Sequence, residues 1–283
     1  MSTEPLHVVT MRRLVVVVLL TSFAFAAPLA APVEARAAWF SITCTEARVA
    51  VEDPIVFPGR PGAGHQHTFF GTRAVRAGST PATMRRGSSS CSSPSDTASY
   101  WAPSLVVGTR RVPGSFTVWY ERAGKARAAA PPPGLKMIAG TPFPTGTQPL
   151  AHVSWQCVGA TAATSSRHAA APERCRRGQR LAAWVRFPDC WDGLRTDSPD
   201  HRSHMRYARR GTCPSSHPVP IMRLVYRITW PVRPLPSSIR LGGGMLGPDG
   251  LHADFWNTWR QRALEQLRWD CIEVAANCAN VRR

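Results

Sequence analysis

Eight cysteines behind an N-terminal export signal constrain this chain more than any other feature. Arg12 and Arg13 form a short positive region. Leu14 to Phe25 follows as an uncharged run rich in Val and Leu, and small-residue cleavage patterns come at Ala24-Phe25-Ala26 and Ala35-Arg36-Ala37. That order reads as a secretory signal peptide over residues 1–37, cleaved after Ala26 or Ala37. A transmembrane anchor is the competing reading, but the apolar run is shorter than the roughly 20 residues a spanning helix needs. The mature region holds no second spanning segment. The expectation is a secreted, extracellular protein whose residues 38–283 form a single domain. In an oxidising compartment an even number of cysteines reads as disulfides. Cys44, Cys91, Cys157, Cys175, Cys190, Cys213, Cys271 and Cys278 allow on the order of a hundred pairings, so connectivity stays open. Cys190–Cys213 and Cys271–Cys278 are the simplest local closures. No C-x-x-C pair occurs, which argues against a zinc ribbon or a thioredoxin-like redox site.

The formal net charge is +18, and Lys125 and Lys136 are the only lysines, so nearly all the positive charge is arginine. Attraction to a polyanion, such as an acidic polysaccharide, wall polymer or nucleic acid, is one reading. Compositional drift is the other, and the scatter of the arginines favours it. No specific nucleic-acid motif accompanies the charge.

Strand signals outnumber helix signals. Met222, Leu224, Tyr226, Ile228 and Trp230 alternate with Arg223, Val225, Arg227 and Thr229, the period of a half-buried strand. Phe116, Val118 and Tyr120 repeat the pattern. His152–Cys157, Leu181–Phe187 and Leu135–Ala139 are further strand candidates, separated by Pro- and Gly-rich turns at 58–64, 131–134, 141–149 and 231–250. One helix is predicted over Ala253–Asp270, with Phe255, Trp259, Ala263 and Leu267 on one face and Asp254 in its first turn. The expected fold class is mainly β (α+β): a β-sandwich or jelly-roll-like single domain with a C-terminal helix, disulfide-bonded.

Acidic residues are scarce, so their positions inform. Three segments combine His with Asp. The first runs from Asp53-Pro54 to Gly64-His65-Gln66-His67. The second runs from Cys190-Trp191-Asp192-Gly193 to Asp200-His201-Arg202-Ser203-His204. The third is His252-Ala253-Asp254. His65 and His67, two apart, point to one side of a strand. Such a pair chelates a metal or places one imidazole as a base; a hydrogen-bonded surface pair is the plain alternative. Asp200, His201 and His204 read as a turn in which Asp orients a histidine, or as an Asp cap. His252 and Asp254 read as another orienting pair, or as the start of the helix. Trp191, before Gly193, suits sugar stacking, although a buried structural Trp is more common. No G-x-S-x-G elbow, S-x-x-K set or H-E-x-x-H helix occurs. A glycosidase would draw two carboxylates from Asp53, Asp192, Asp200 and Asp254. A lyase would use a His or Tyr base, Tyr100 and Tyr207 among them, with Arg or Lys neutralising a uronate.

At these residues the sequence resembles a known family, the domain of unknown function nineteen-ninety-six. The resemblance begins with Asp53-Pro54-Ile55-Val56-Phe57-Pro58-Gly59 and His65-Gln66-His67-Thr68-Phe69-Phe70-Gly71. It continues in order through Ser99-Tyr100-Trp101-Ala102-Pro103, Met137-Ile138-Ala139-Gly140, Trp155-Gln156-Cys157, Phe187-Pro188-Asp189-Cys190-Trp191-Asp192-Gly193, Asp200-His201 with His204-Met205, Cys213-Pro214 and His252-Ala253-Asp254-Phe255. Lys136 stands where the pattern has Arg, and residues 62–64 are richer in Gly. The resemblance implies a single secreted domain. Carbohydrate-binding modules appended to some fungal relatives point toward polysaccharide or wall as the substrate class. It implies no catalytic roles.

The leading expectation is a protein with a His/Asp-lined pocket acting on an extracellular or cell-wall polysaccharide. Asp53, His65, His67, Asp192, Asp200, His201, His204, His252 and Asp254 are its catalytic candidates. Tyr100, Trp101, Lys136 and Trp191 are its substrate-binding candidates. A non-catalytic wall- or glycan-binding protein is the alternative; it predicts Trp101, Trp119 or Trp191 aligned on an open face, with the histidines apart. A structural or toxin-like domain is the third. The cofactor is open: the spacing suits Zn or Cu as a divalent metal but lacks a complete motif, so no metal ligands are assigned. If the ring nitrogens of His65, His204 and His252 lie more than ~10 Å apart, one shared ion is excluded. The reaction and the oligomeric state stay open.

Overall fold

Alternating side chains build two five-stranded antiparallel sheets that face each other across one core. The computed structural model describes Met1 and residues 38–124, 126–233, 235–274 and 277–282. The rest of the expected export signal, residues 2–37, lies outside the described residues. The first sheet runs, in spatial order, Trp39–Cys44, Ser115–Glu121, Arg223–Trp230, Arg180–Arg186 and Val153–Val158. The second runs Arg48–Val51, Gln66–Gly71, Ser99–Pro103, His252–Trp256 and Lys136–Gly140. Two three-stranded sheets of short strands flank them, built on Cys190–Trp191 and Val106–Val107.

Within Arg223–Trp230 the even positions Leu224, Tyr226, Ile228 and Trp230 are buried, as period-two patterning requires. They meet Phe116, Val118 and Tyr120 from the neighbouring strand and Phe70, Tyr100, Ala253 and Phe255 from the opposite sheet. Aromatic contacts bridge the layers: Phe70 stacks on Phe116 at 4.5 Å, and Tyr100 meets Tyr226 edge-on at 5.7 Å. Burying each such ring contributes roughly 1.5–3 kcal/mol.

The second sheet is covered on its outer face too. Ile55, Phe69, Val75, Met84, Trp101, Ile138 and Trp256 form a smaller apolar cluster there. All five residues of Ser99–Pro103 and all five of His252–Trp256 are therefore buried. That double burial corrects the helix predicted from Ala253. Ala253–Trp256 is strand, and Asp254 faces the outer cluster rather than a helix dipole. The C-terminal helix is only Gln261–Leu267, with Leu264 and Leu267 turned into the core, and it runs into a wider helical turn at Arg268–Glu273. The helical spacing of Phe255 and Trp259 arises across a strand end.

All eight cysteines are paired: Cys44–Cys91, Cys157–Cys175, Cys190–Cys213 and Cys271–Cys278. No helix among the described residues is long and apolar enough to cross a membrane. Both facts are compatible with a secreted protein.

Candidate functional site

The outer face of the second sheet carries its chemistry. His67 pairs in register with Pro103, and Asp254 with Trp101. Pro103, two residues beyond Trp101, thus stands between His67 and His252, and its short ring lets the two imidazoles lean together, with centroids 5.7 Å apart. His65, just before its strand, brings its ring to 4.3 Å from His67 and 5.0 Å from His252. The three histidines are buried.

Two backbone carbonyls set the tautomers. His67 Nδ1 lies 2.8 Å from the Glu52 carbonyl oxygen, and His252 Nδ1 lies 2.7 Å from that of Gly250. A carbonyl has no proton to give, so each Nδ1 donates and each Nε2 is left as a lone pair. His65 Nε2 lies 3.1 Å from His252 Nε2 and donates to it. His67 Nε2 has no partner, and neither does either carboxylate oxygen of Asp254, all of them buried. Asp53 completes the group: its Oδ1 accepts from the Ile55 and Val56 amides, each at 3.0 Å.

Burial dominates the electrostatics. It depresses the imidazoles, His65 to about 4 and His252 to about 3, with His67 well below its ordinary value, so all three are neutral at pH 7. Burial, and then the neighbouring Asp53, pushes Asp254 well above the usual carboxylate range. Burial also raises Asp53, against the pull of its two amide donors and of the nearby His201 and Lys136 side chains.

Asp53, His65, His252 and Asp254, but not His67, open to solvent through a cavity of about 310 Å³. Asp53, His65, His252, Asp254 and Arg202 line it, and Phe143 and Met245, 74% and 69% exposed, give it an apolar rim. Arg202 is fixed by donating to the Gly140 carbonyl at 2.8 Å. Gly140 and Gly242 are required by close approach. A Cβ at Gly140 would lie 2.9 Å from the His252 Cα, and one at Gly242 would lie 2.9 Å from the His65 ring. A larger groove of about 880 Å³, lined by Arg167, Arg174, Arg176 and Arg177, includes none of these histidines.

The structure thus brings together Asp53, His65, His67, His252 and Asp254, and leaves the remaining candidates in other roles. Asp192 clamps Arg195 at 2.8 Å. Asp200 accepts from the Ser203 and Arg202 amides and the Ser198 hydroxyl, bonds that hold it below the usual carboxylate range. The carboxylate that orients His201 is Asp197, not Asp200, at 2.8 Å; Asp197 also holds Lys136 at 2.9 Å. His204 bonds the Lys136 carbonyl of the second sheet and the Ser198 hydroxyl of its own loop, so both its nitrogens are used. Tyr100 and Trp101 are corrected as substrate contacts, since both are fully buried. Tyr100 donates to Asp96 at 2.7 Å, and Trp101 packs on Phe69. Trp191 is half-buried and donates to the Arg195 carbonyl.

Sequence reasoning missed Arg202, Phe143, Met245 and Gly242. The run Gly242-Gly243-Gly244 was the available signal of a close backbone approach. The landmarks from Asp53 to Phe255 agree with a family comparison. The family model for Domain of unknown function (DUF1996) matches residues 53–259. No curated protein and no solved structure matches the chain. With that match spanning most of its length, the chain belongs to the family described as Domain of unknown function (DUF1996).

Proposed function

We propose that this is a secreted enzyme acting on an extracellular or cell-wall polysaccharide through the His65/His67/His252 cavity. One observation carries the reading: five titratable side chains from sequence positions 53 to 254 meet, buried, and Asp53, His65, His252 and Asp254 line an opening to solvent while His67 lies behind them. A fold does not leave the Asp254 carboxyl and His67 Nε2 buried without partners for stability, because each such group costs about 1–3 kcal/mol. Perturbed groups in a cleft mark functional sites. Neutral imidazoles keep lone pairs that accept a hydrogen bond from a substrate hydroxyl at pH 7. Arg202 puts positive charge on the wall, and the apolar rim suits the faces of sugar rings.

The non-catalytic glycan-binding alternative is less well supported. It needs the histidines apart, whereas their rings touch; of its indoles Trp101 is buried, while half-buried Trp119 stacks on Trp184 at 5.6 Å, far from these histidines in sequence. A panel of neutral and acidic polysaccharides, assayed for released ends with wild type, His67→Ala and Asp254→Asn, tests the proposal. Cleavage by wild type that both variants lose is the expected result. Equal cleavage by all three would remove this cavity from the mechanism.

A further inference from the structure

We propose that His65, His67 and His252 bind one divalent transition-metal ion, with the Asp53 and Asp254 carboxylates beside it as counter-charge. The inference goes beyond the enzymatic reading and stands whatever the substrate is.

Geometry is the first support. One ligand atom from each of the three histidines lies within 4.8 Å of the other two. The two facing Nε2 atoms of His65 and His252 are 3.1 Å apart. Two nitrogens on a tetrahedral ion, at Zn–N bonds of about 2.0–2.1 Å, stand roughly 3.3 Å apart. The rings are therefore already spaced for a shared ion.

The second support lies behind the rings. His67 and His252 each donate Nδ1–H to a backbone carbonyl, which presents the Nε2 lone pair inward. Metal-ligating histidines are held this way, with the far nitrogen donating to a carbonyl or carboxylate. His65 is the exception: it spends its Nε2–H on His252, and an ion replaces that proton once His65 carries its hydrogen on Nδ1.

The third support is the set of unpartnered acceptors. His67 Nε2 and both oxygens of Asp254 are buried with no hydrogen-bond partner, and Asp254 is 1% exposed. One proton on Asp254 answers one of those atoms. A cation answers all three. A ligand atom from His67 also lies within 4.8 Å of one oxygen each from Asp53 and Asp254. Two carboxylates against a divalent ion and three neutral imidazoles give a neutral centre. Among the described residues neither acid has a salt-bridge partner that would balance it otherwise.

The donor set fixes the class of ion. Imidazole nitrogens suit Zn, Cu, Fe and Ni, whereas Ca and Mg take oxygen ligands. Three protein nitrogens leave coordination open toward the cavity, as in sites that hold water or substrate.

Isothermal titration of chelator-treated full-length protein with Zn²⁺, Cu²⁺ and Co²⁺ at pH 7 tests this, with the Co²⁺ visible spectrum reporting geometry. One equivalent bound per chain is expected. His67→Ala and His252→Ala should each weaken binding by roughly 100-fold or more, beyond the 10–100-fold that a lost outer partner costs. His168→Ala, an exposed histidine elsewhere, should leave it unchanged. To separate lost binding from lost folding, Asp254→Asn, which keeps the shape, is measured alongside with circular dichroism. In that variant a changed Co²⁺ spectrum on a native fold is expected. No ion binding wild type more tightly than the folded site variants would overturn the proposal. Metal binding without polysaccharide cleavage would uphold this site while removing the enzymatic reading. Cleavage by metal-free protein with no ion bound would do the reverse.

Discussion

Gly242 lies against the imidazole of His65, so close that a Cβ on it would stand 2.9 Å from ring Cδ2. Its φ of +63° also lies where only glycine is comfortable. Gly242→Ala is therefore expected to destabilise the fold by about 1 kcal/mol or more in urea unfolding and to displace His65. Gly244→Ala is the control. It too has positive φ, at +102°, but its Cβ would meet nothing within 4 Å. If both variants lose cavity function equally, the contact with His65 is not what matters at 242.

Asp96 governs part of the pH dependence of stability. It is fully buried beneath Tyr100, and burial pushes its carboxyl up to about 8. The folded protein keeps that proton while the unfolded chain, with an Asp near ~3.9, gives it up. The contribution is whole below about pH 4 and falls as pH rises toward 8, by at most about 1.4 kcal/mol per pH unit. Asp96→Asn should flatten the slope of unfolding free energy between pH 5 and 7. A slope unchanged from wild type would assign the ionisation elsewhere.

Tyr100 belongs to the same network, because its hydroxyl also meets the Tyr120 hydroxyl at 2.8 Å and the Trp259 Nε1–H at 3.1 Å. Tyr100→Phe leaves buried partners unsatisfied and should cost about 1–3 kcal/mol in denaturant unfolding. Cleavage of any polymer by the folded variant should match wild type. A large rise in KM without loss of stability would restore Tyr100 as a substrate contact.

The four disulfides should differ in worth. Cys44–Cys91 spans 47 residues and Cys271–Cys278 only 7. On chain entropy the first restricts the unfolded chain by about 4 kcal/mol and the second by about 2.5 kcal/mol. Paired Cys→Ala variants compared by guanidinium unfolding check the order. Reversal would show that native-state packing outweighs the loop.

The fold was more legible in the sequence than the site. Arg223–Trp230 and Ser115–Glu121 each have one face buried and one face wetter, so polarity alternates and the period shows. His252–Trp256 is buried on both faces, so polarity carries no period, and the spacing from Phe255 to Leu267 imitates a helix. The closures Cys190–Cys213 and Cys271–Cys278 were legible because local; Cys44–Cys91 depends on how the sheets meet. His65 and His67 stand out because two imidazoles share a side of one strand. Their meeting with His252 depends on strand order, with Ser99–Pro103 between them, which no local pattern encodes. Asp200, His201 and His204 misled for the opposite reason. Closeness in sequence there reflects a turn in which Asp200 caps backbone amides while His201 and His204 bond Asp197, Ser198 and the Lys136 carbonyl.

The outward turn of His252 and Asp254 bears on strand alignment. Along this strand Ala253 and Phe255 face the apolar core between the sheets, so a slip of one residue would exchange the two sets. Phe255 would then enter the cavity, and an imidazole and a carboxyl would be driven into hydrocarbon, where an unpaired polar group costs several kcal/mol. The cavity residues therefore penalise a misaligned sheet, whether or not a ligand is bound.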